Sequence, residues 1–150
     1  MGQDGAGIDL DTSLGYLLKE ASSALRTAMD EVLRPLGMSV THYACLELLA
    51  QRPGASSADL ARGTFVTRQT MHVLLQSLER DGEVARPAAA PTGRALPVQL
   101  TALGRRRLAL ASAAVRSVED RMLRGLGPTE RADAHRALRA MVHALRDAPR

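Results

Sequence analysis

The sequence predicts a mainly α-helical fold, a winged helix-turn-helix with a two-stranded β wing set between long terminal helices. Three observations predict it. Apolar residues recur at spacings of three and four along most of the 150 residues. Cap and stop residues fall between these periodic runs. The helical pattern gives way between Gly82 and Thr101, where two short stretches flank a turn-rich loop.

The elements follow in order. Residues 1–10 are rich in Gly and Asp and are expected to form a flexible tail, leaving 11–147 as a single domain. Leu14, Leu17, Leu18, Ala21, Leu25, Ala28, Met29, Val32 and Leu36 mark one face of a long first helix. Asp11, Thr12 or Ser13 caps it, and Pro35 with Gly37 stops it. Ser39 caps a second helix with Tyr43, Leu46, Leu49 and Ala50 on one face, closed by Pro53-Gly54. Ser56-Ser57-Ala58-Asp59 fits a capping box for a short third helix ending near Gly63. Thr67 caps the fourth, which turns Met71, Leu74, Leu75 and Leu78 inward and ends at Gly82.

Glu83–Arg86 and Leu96–Leu100 could then pair as a hairpin, limited by Pro87 and Pro97. Ala88 to Arg94 reads as its exposed loop. Helical periodicity resumes behind Thr101 with Leu103, Leu108, Ala111, Val115, Val118 and Met122. Pro128 opens a last helix carrying Ala134, Leu138, Met141, Val142 and Leu145 inward. The winged core should span 38–104, with 11–36 and 105–147 as dimerisation helices. These long amphipathic helices lack partners in one chain, and a symmetric dimer would supply them.

Composition removes several function classes. Aromatics are 2% of the chain (Tyr16, Tyr43 and Phe65), too few for a stacking platform. No apolar run approaches the ~20 residues of a membrane span. A single cysteine, Cys45, allows no internal disulfide and fits a reducing cytoplasm. Four histidines lack the spacing of a helical zinc motif, and no phosphate loop or nucleophile elbow is present, so neither an enzyme, a metal site nor a cofactor is expected.

Charge points the other way, toward an anionic partner. Residues 1–55 hold four bases and seven acids, 56–107 eight and four, and 108–150 eight and five. The fourth helix exposes Thr67, Arg68, Gln69, Thr70, His72, Val73 and Gln76 behind a short capped helix and a tight turn. Arg can fork onto guanine, Gln can bracket adenine, and a Thr methyl can touch thymine. Arg62, Arg86 and Arg105-Arg106-Arg107 are candidates for phosphate, and Arg94 for a minor groove.

The stretches Ala58-Asp59-Leu60-Ala61-Arg62, Val66-Thr67-Arg68-Gln69-Thr70-Met71 and Leu78-Glu79-Arg80-Asp81-Gly82 resemble the multiple-antibiotic-resistance regulator (MarR) family. Gly93-Arg94-Ala95 and Leu100-Thr101-Ala102-Leu103-Gly104-Arg105 continue the likeness in the same order. The resemblance implies a homodimer binding a pseudo-palindromic double-stranded DNA operator, usually as a repressor, with Arg94 at the wing tip. The family's usual aspartate two residues before that arginine is Thr92 here. It also implies release by a small aromatic or carboxylate effector in a crevice beside the dimer helices, with Tyr16, Met38, His42, Tyr43 and Leu46 as candidate lining. Two other readings remain: a redox switch through Cys45, its thiol activated by His42 three residues earlier, and a dimeric helical interaction protein that has lost DNA binding.

Overall fold

Each helix begins where its sequence supplies a cap. In the computed structural model, which describes residues 7–87 and 97–147, the hydroxyls of Ser13, Ser39, Ser56, Thr67 and Thr101 each accept the amide three residues on. They open α1 (Leu14–Leu33), α2 (Val40–Gln51), α3 (Ser57–Thr64), α4 (Arg68–Arg80) and α5 (Ala102–Met122). At α3 the box is complete, because Asp59 Oδ2 also accepts the Ser56 amide at 3.0 Å. Helix α6 (Pro128–Arg146) starts on Pro128, and Glu130 accepts the Gly127 amide.

The first helix is shorter than its apolar pattern suggests. It stops at Leu33 and tightens into a 3₁₀ turn over Arg34–Leu36, because Pro35 has no amide to continue the ladder. Gly37, at φ +70°, closes that turn in the left-handed region. Helix α4 ends in a Schellman motif: the Glu83 amide reaches the Leu78 carbonyl at 2.9 Å while Gly82 adopts φ +77°.

The wing pairs β1 (Val84–Ala85) with β2 (Gln99–Leu100), antiparallel, with Val84 opposite Leu100 and Ala85 opposite Gln99. Both strands are shorter than expected. Glu83 is held by the end of α4, and Pro97 has no amide to donate. The wing tip with Thr92 and Arg94 lies outside the described residues, as do residues 1–6 of the expected tail.

One core joins α2, α3 and α4 to the wing and to the first half of α5. Leu33, Cys45, Leu46, Leu60, Met71, Leu78 and Ala111 are fully or almost fully buried in it. The apolar faces of the terminal helices stay uncovered within the protomer. None of Ala134, Leu138, Met141, Val142 and Leu145 is buried within the protomer, and Leu14, Leu17 and Leu18 are also exposed. Their periodicity is real, but a single chain offers no surface to cover that face.

Candidate nucleic-acid interface

The helix-turn-helix is α3 and α4, joined by Phe65, Val66 and Thr67. Phe65 sits at φ +61°, the one non-glycine residue in the left-handed region among the described residues. Its amide and that of Val66 close α3, so α4 leaves at a fixed angle. Met71, Leu75 and Leu78 anchor α4 in the core, which leaves the opposite face in solvent. On that face stand Arg68, Gln69, Thr70, His72, Val73 and Gln76, all exposed as the sequence reading placed them.

Thr67 and Thr70 are joined to each other. The Thr67 hydroxyl accepts the Thr70 amide at 3.1 Å and meets the Thr70 hydroxyl at 3.0 Å, so both stabilise the helix start. Arg68, Gln69, His72 and Gln76 have no intramolecular polar partner among the described residues, leaving their donors and acceptors available for base edges.

The flanking arginines divide into three kinds. Arg62 pairs with Asp59 on the exposed side of α3, and Asp59 lies below the usual carboxylate range, chiefly through the Ser56 backbone amide. Arg86 pairs with Glu79 at 2.9 Å on the surface beside the wing. Arg62 can exchange its exposed partner Asp59 for phosphate at little cost. Arg107 cannot. One guanidinium nitrogen lies 3.2 Å from Glu83 Oε1, and another donates to the Leu36 carbonyl at 2.8 Å. The expected cluster of three phosphate contacts is thus corrected at Arg107, which turns inward, while Arg105, which also borders a cavity, and Arg106 are exposed. Helical rotation of about 100° per residue separates three consecutive side chains in this way.

The five candidate effector residues do not form one crevice within a protomer. Met38 and Leu46 belong to the core. His42 Nε2 lies 3.1 Å from the buried Glu83 Oε1. Tyr43 is half-buried beside Glu47; its phenol is pushed up by burial and by that carboxylate. Burial opposes ionisation of Glu47, yet hydrogen bonds from Gln51, Ser112 and Tyr43, with the Arg116 charge, hold it below the usual range. Tyr16 is half-exposed on the first turn of α1, about 26 Å along the helix from Leu33.

A cavity of about 470 Å³ lies instead between the end of α2, strand β2 and the first half of α5. Leu49, Val98, Leu100 and Leu108 give it apolar walls, while Arg105 and Ser112 bring a cation and a hydroxyl. Sequence reasoning assigned Arg105 to phosphate and passed over Ser112. The one available signal was their i, i+7 spacing on a single helix face.

Cys45 is fully buried, with Met71 Sδ 3.9 Å from its Sγ, and burial pushes its thiol up to about 12. His42 is turned to Glu83 rather than to this thiol, which corrects the expected activation. At pH 8 a pKa near 12 leaves a thiolate fraction of about 10⁻⁴. Iodoacetamide should therefore alkylate the native chain at least roughly a thousandfold more slowly than the urea-unfolded chain. Equal rates would contradict the burial.

No described helix is long and apolar enough to cross a membrane. Among the described residues, no group of three or more His, Cys, Asp or Glu side chains is placed to hold a metal ion.

A MarR family model matches residues 36–95, from the end of the first helix to the wing. The HTH-type transcriptional repressor Rv2887 of Mycobacterium tuberculosis is 42% identical over 132 residues, 88% of this chain and 95% of the relative. The crystal structure of Rv2887 with salicylic acid superposes with a TM-score of 0.73, covering 87% of this chain and 97% of the other at 42% identity. Its complex with DNA gives a TM-score of 0.70, at 37% identity over 87% and 98% of the two chains. A MarR family transcriptional regulator from Silicibacter pomeroyi reaches a TM-score of 0.82, at 25% identity over 99% and 100%. The exposed polar face of α4, the small wing and a likeness over most of the chain have one common account: the chain belongs to the MarR family.

Proposed function

We propose that this protein is a dimeric, cytoplasmic transcription repressor that holds a pseudo-palindromic operator and releases it when a small aromatic carboxylate binds. The observation that carries this reading is the unpartnered polar face of α4, with Arg68, Gln69, His72 and Gln76 projecting from a helix fixed by three core residues. Arg68, Gln69, Thr70 and His72 read base edges, with Gln76 one turn beyond. Thr67 fixes the helix start, and Arg62, Arg86 and Arg94 hold phosphate or groove. Residues 38–104 form the DNA-binding unit. The exposed apolar faces of α1 and α6 support dimerisation through 11–36 and 105–147. Two recognition helices must then lie about one DNA turn (~34 Å) apart.

For the effector, the cavity at α2, β2 and α5 has a suitable size and chemistry. Its volume lies in the range of small-molecule sites, and Arg105 can pair with a carboxylate while Leu49 and Leu108 cover a ring. The salicylic acid complex of Rv2887 supports that ligand class. A ligand seated between wing and α5 would alter the angle between them, and hence the spacing of the two recognition helices.

The test is selection of sheared genomic DNA at near-physiological salt, followed by sequencing of what is retained. One inverted repeat with centres about 10 base pairs apart is expected. Arg68→Ala should then weaken binding to that duplex about tenfold to a hundredfold, and affinity should fall steeply with added salt. Salicylate should release the duplex from the wild-type protein and not from Arg105→Ala. Retention of a sequence-blind background would overturn operator binding. Release that survives Arg105→Ala would place the effector elsewhere.

A further inference from the structure

Helix α6 has 19 residues and an apolar stripe, yet makes no extended packing with any other helix of its own protomer. A helix of that kind is not held in water by its own hydrogen bonds alone. Between its C-terminal half and the connection from α2 to α3 lies an open cleft of about 1080 Å³. Leu48, Phe65 and Val142 give this cleft apolar lining. Its charges are almost all of one sign. Arg62 is paired with Asp59, but Arg52, Arg139 and Arg146 have no partner among the described residues.

The chain carries one segment of matching character. Residues 1–13 contain Asp4, Asp9 and Asp11 and no base. Within it and just after it, Ile8, Leu10 and Leu14 are 75%, 55% and 66% exposed. The course of α1 points the residues just before it, 7–13, away from their own protomer. Ala21 and Leu25 lie against Arg121 and Met122, at the end of α5, so Leu14 stands about 10 Å beyond that end. The cleft lies the other way, with Val142 about 21 Å along α6 from Pro128.

We propose that in the dimer each cleft seats the N-terminal segment of the second copy. The partner's Ile8, Leu10 and Leu14 fill the apolar lining, and the partner's Asp9 and Asp11 face Arg52, Arg139 and Arg146. The inference rests on the dimeric reading above and adds where the arm of one chain is held. It also joins that arm to the helix-turn-helix, because Phe65 and Arg62 border both the cleft and the turn into α4. The spacing of the recognition helices is then set partly by the partner's arm.

Two charge-reversed chains test it. One carries Asp9→Arg and Asp11→Arg, the other Arg139→Glu and Arg146→Glu. All four positions are exposed, and circular dichroism checks that both variants fold. Each homodimer sets like charges together at both clefts and should dissociate at least roughly tenfold more readily than wild type. A mixture of the two should form heterodimer well beyond its statistical half in native mass spectrometry, because there both clefts meet a matched arm. A statistical mixture, with the wild type dimeric, would overturn the arm–cleft pairing, including the case in which each arm folds onto its own chain. A monomeric wild type would instead overturn the dimeric reading itself.

Discussion

Replacing Glu83 with alanine is expected to destabilise the protein by about 3–5 kcal/mol, read from the shift of the urea unfolding midpoint. Glu83 is fully buried at the junction of α4 and the wing. Its Oε1 meets His42 Nε2 at 3.1 Å from α2 and an Arg107 guanidinium nitrogen at 3.2 Å from α5. Arg107 in turn donates to the Leu36 carbonyl at the end of the 3₁₀ turn after α1, so one carboxylate ties four segments together. Alanine would leave that guanidinium without its counter-charge in a largely dry place. Because the Arg107 side chain is 31% exposed it can partly recover water, which argues for the lower end of the range. Glu83 is also imperfectly satisfied: Oε2 is buried with no hydrogen-bond partner among the described residues. The pair is therefore costly to split and not especially valuable to keep. Glu83→Leu combined with Arg107→Met should consequently lose less stability than Glu83→Ala alone. A shift below about 1 kcal/mol for the alanine variant would show that the network carries no weight.

That network also marks where sequence reading stopped. Caps are local chemistry, and Ser39, Ser56 and Thr67 act where the sequence placed them, because each needs only an amide three residues away. The exposed polar face of α4 was legible for a similar reason: Met71, Leu75 and Leu78 fix one side of the helix and thereby the other. Glu83 gave no such signal. A charged residue beside a glycine reads as surface, and its partners lie 41 and 24 positions away in sequence. Met38 and Leu46 were read as lining a crevice and prove to be core, since an apolar side chain has the same pattern in both settings. The apolar face of α6 is legible in the sequence as a face without a partner in its own chain, and within the protomer it stays uncovered.

Gly104→Ala should destabilise the fold by about 3 kcal/mol and abolish operator binding at temperatures where the wild type still binds. Helix propensity alone predicts the opposite sign, since Gly to Ala inside a helix stabilises by about 1 kcal/mol. Packing decides the outcome. A Cβ at Gly104 would fall well inside contact of the Glu83 carbonyl oxygen, 3.1 Å from its carbonyl carbon and 3.3 Å from Leu100 Cδ2. The obstacle is backbone, and it is fixed from both sides. The Glu83 carbonyl accepts the Thr101 amide at 3.0 Å, the Thr101 hydroxyl reaches the Gly82 carbonyl at 2.5 Å, and the Glu83 amide is held by Leu78. Only separation of α5 from the wing would make room. That movement opens the junction from which Arg107 reaches Glu83 and displaces the recognition helix relative to the dimer helices. Gly125→Ala is the control, as nothing lies within 4 Å of a Cβ there, and its effect should stay within about 0.5 kcal/mol. Thermal melts of the two variants, with duplex binding measured below both midpoints, separate the cases. If Gly104→Ala melts at or above wild type, the first turn of α5 has slack against the wing, and close backbone packing does not set the spacing of the DNA-reading helices.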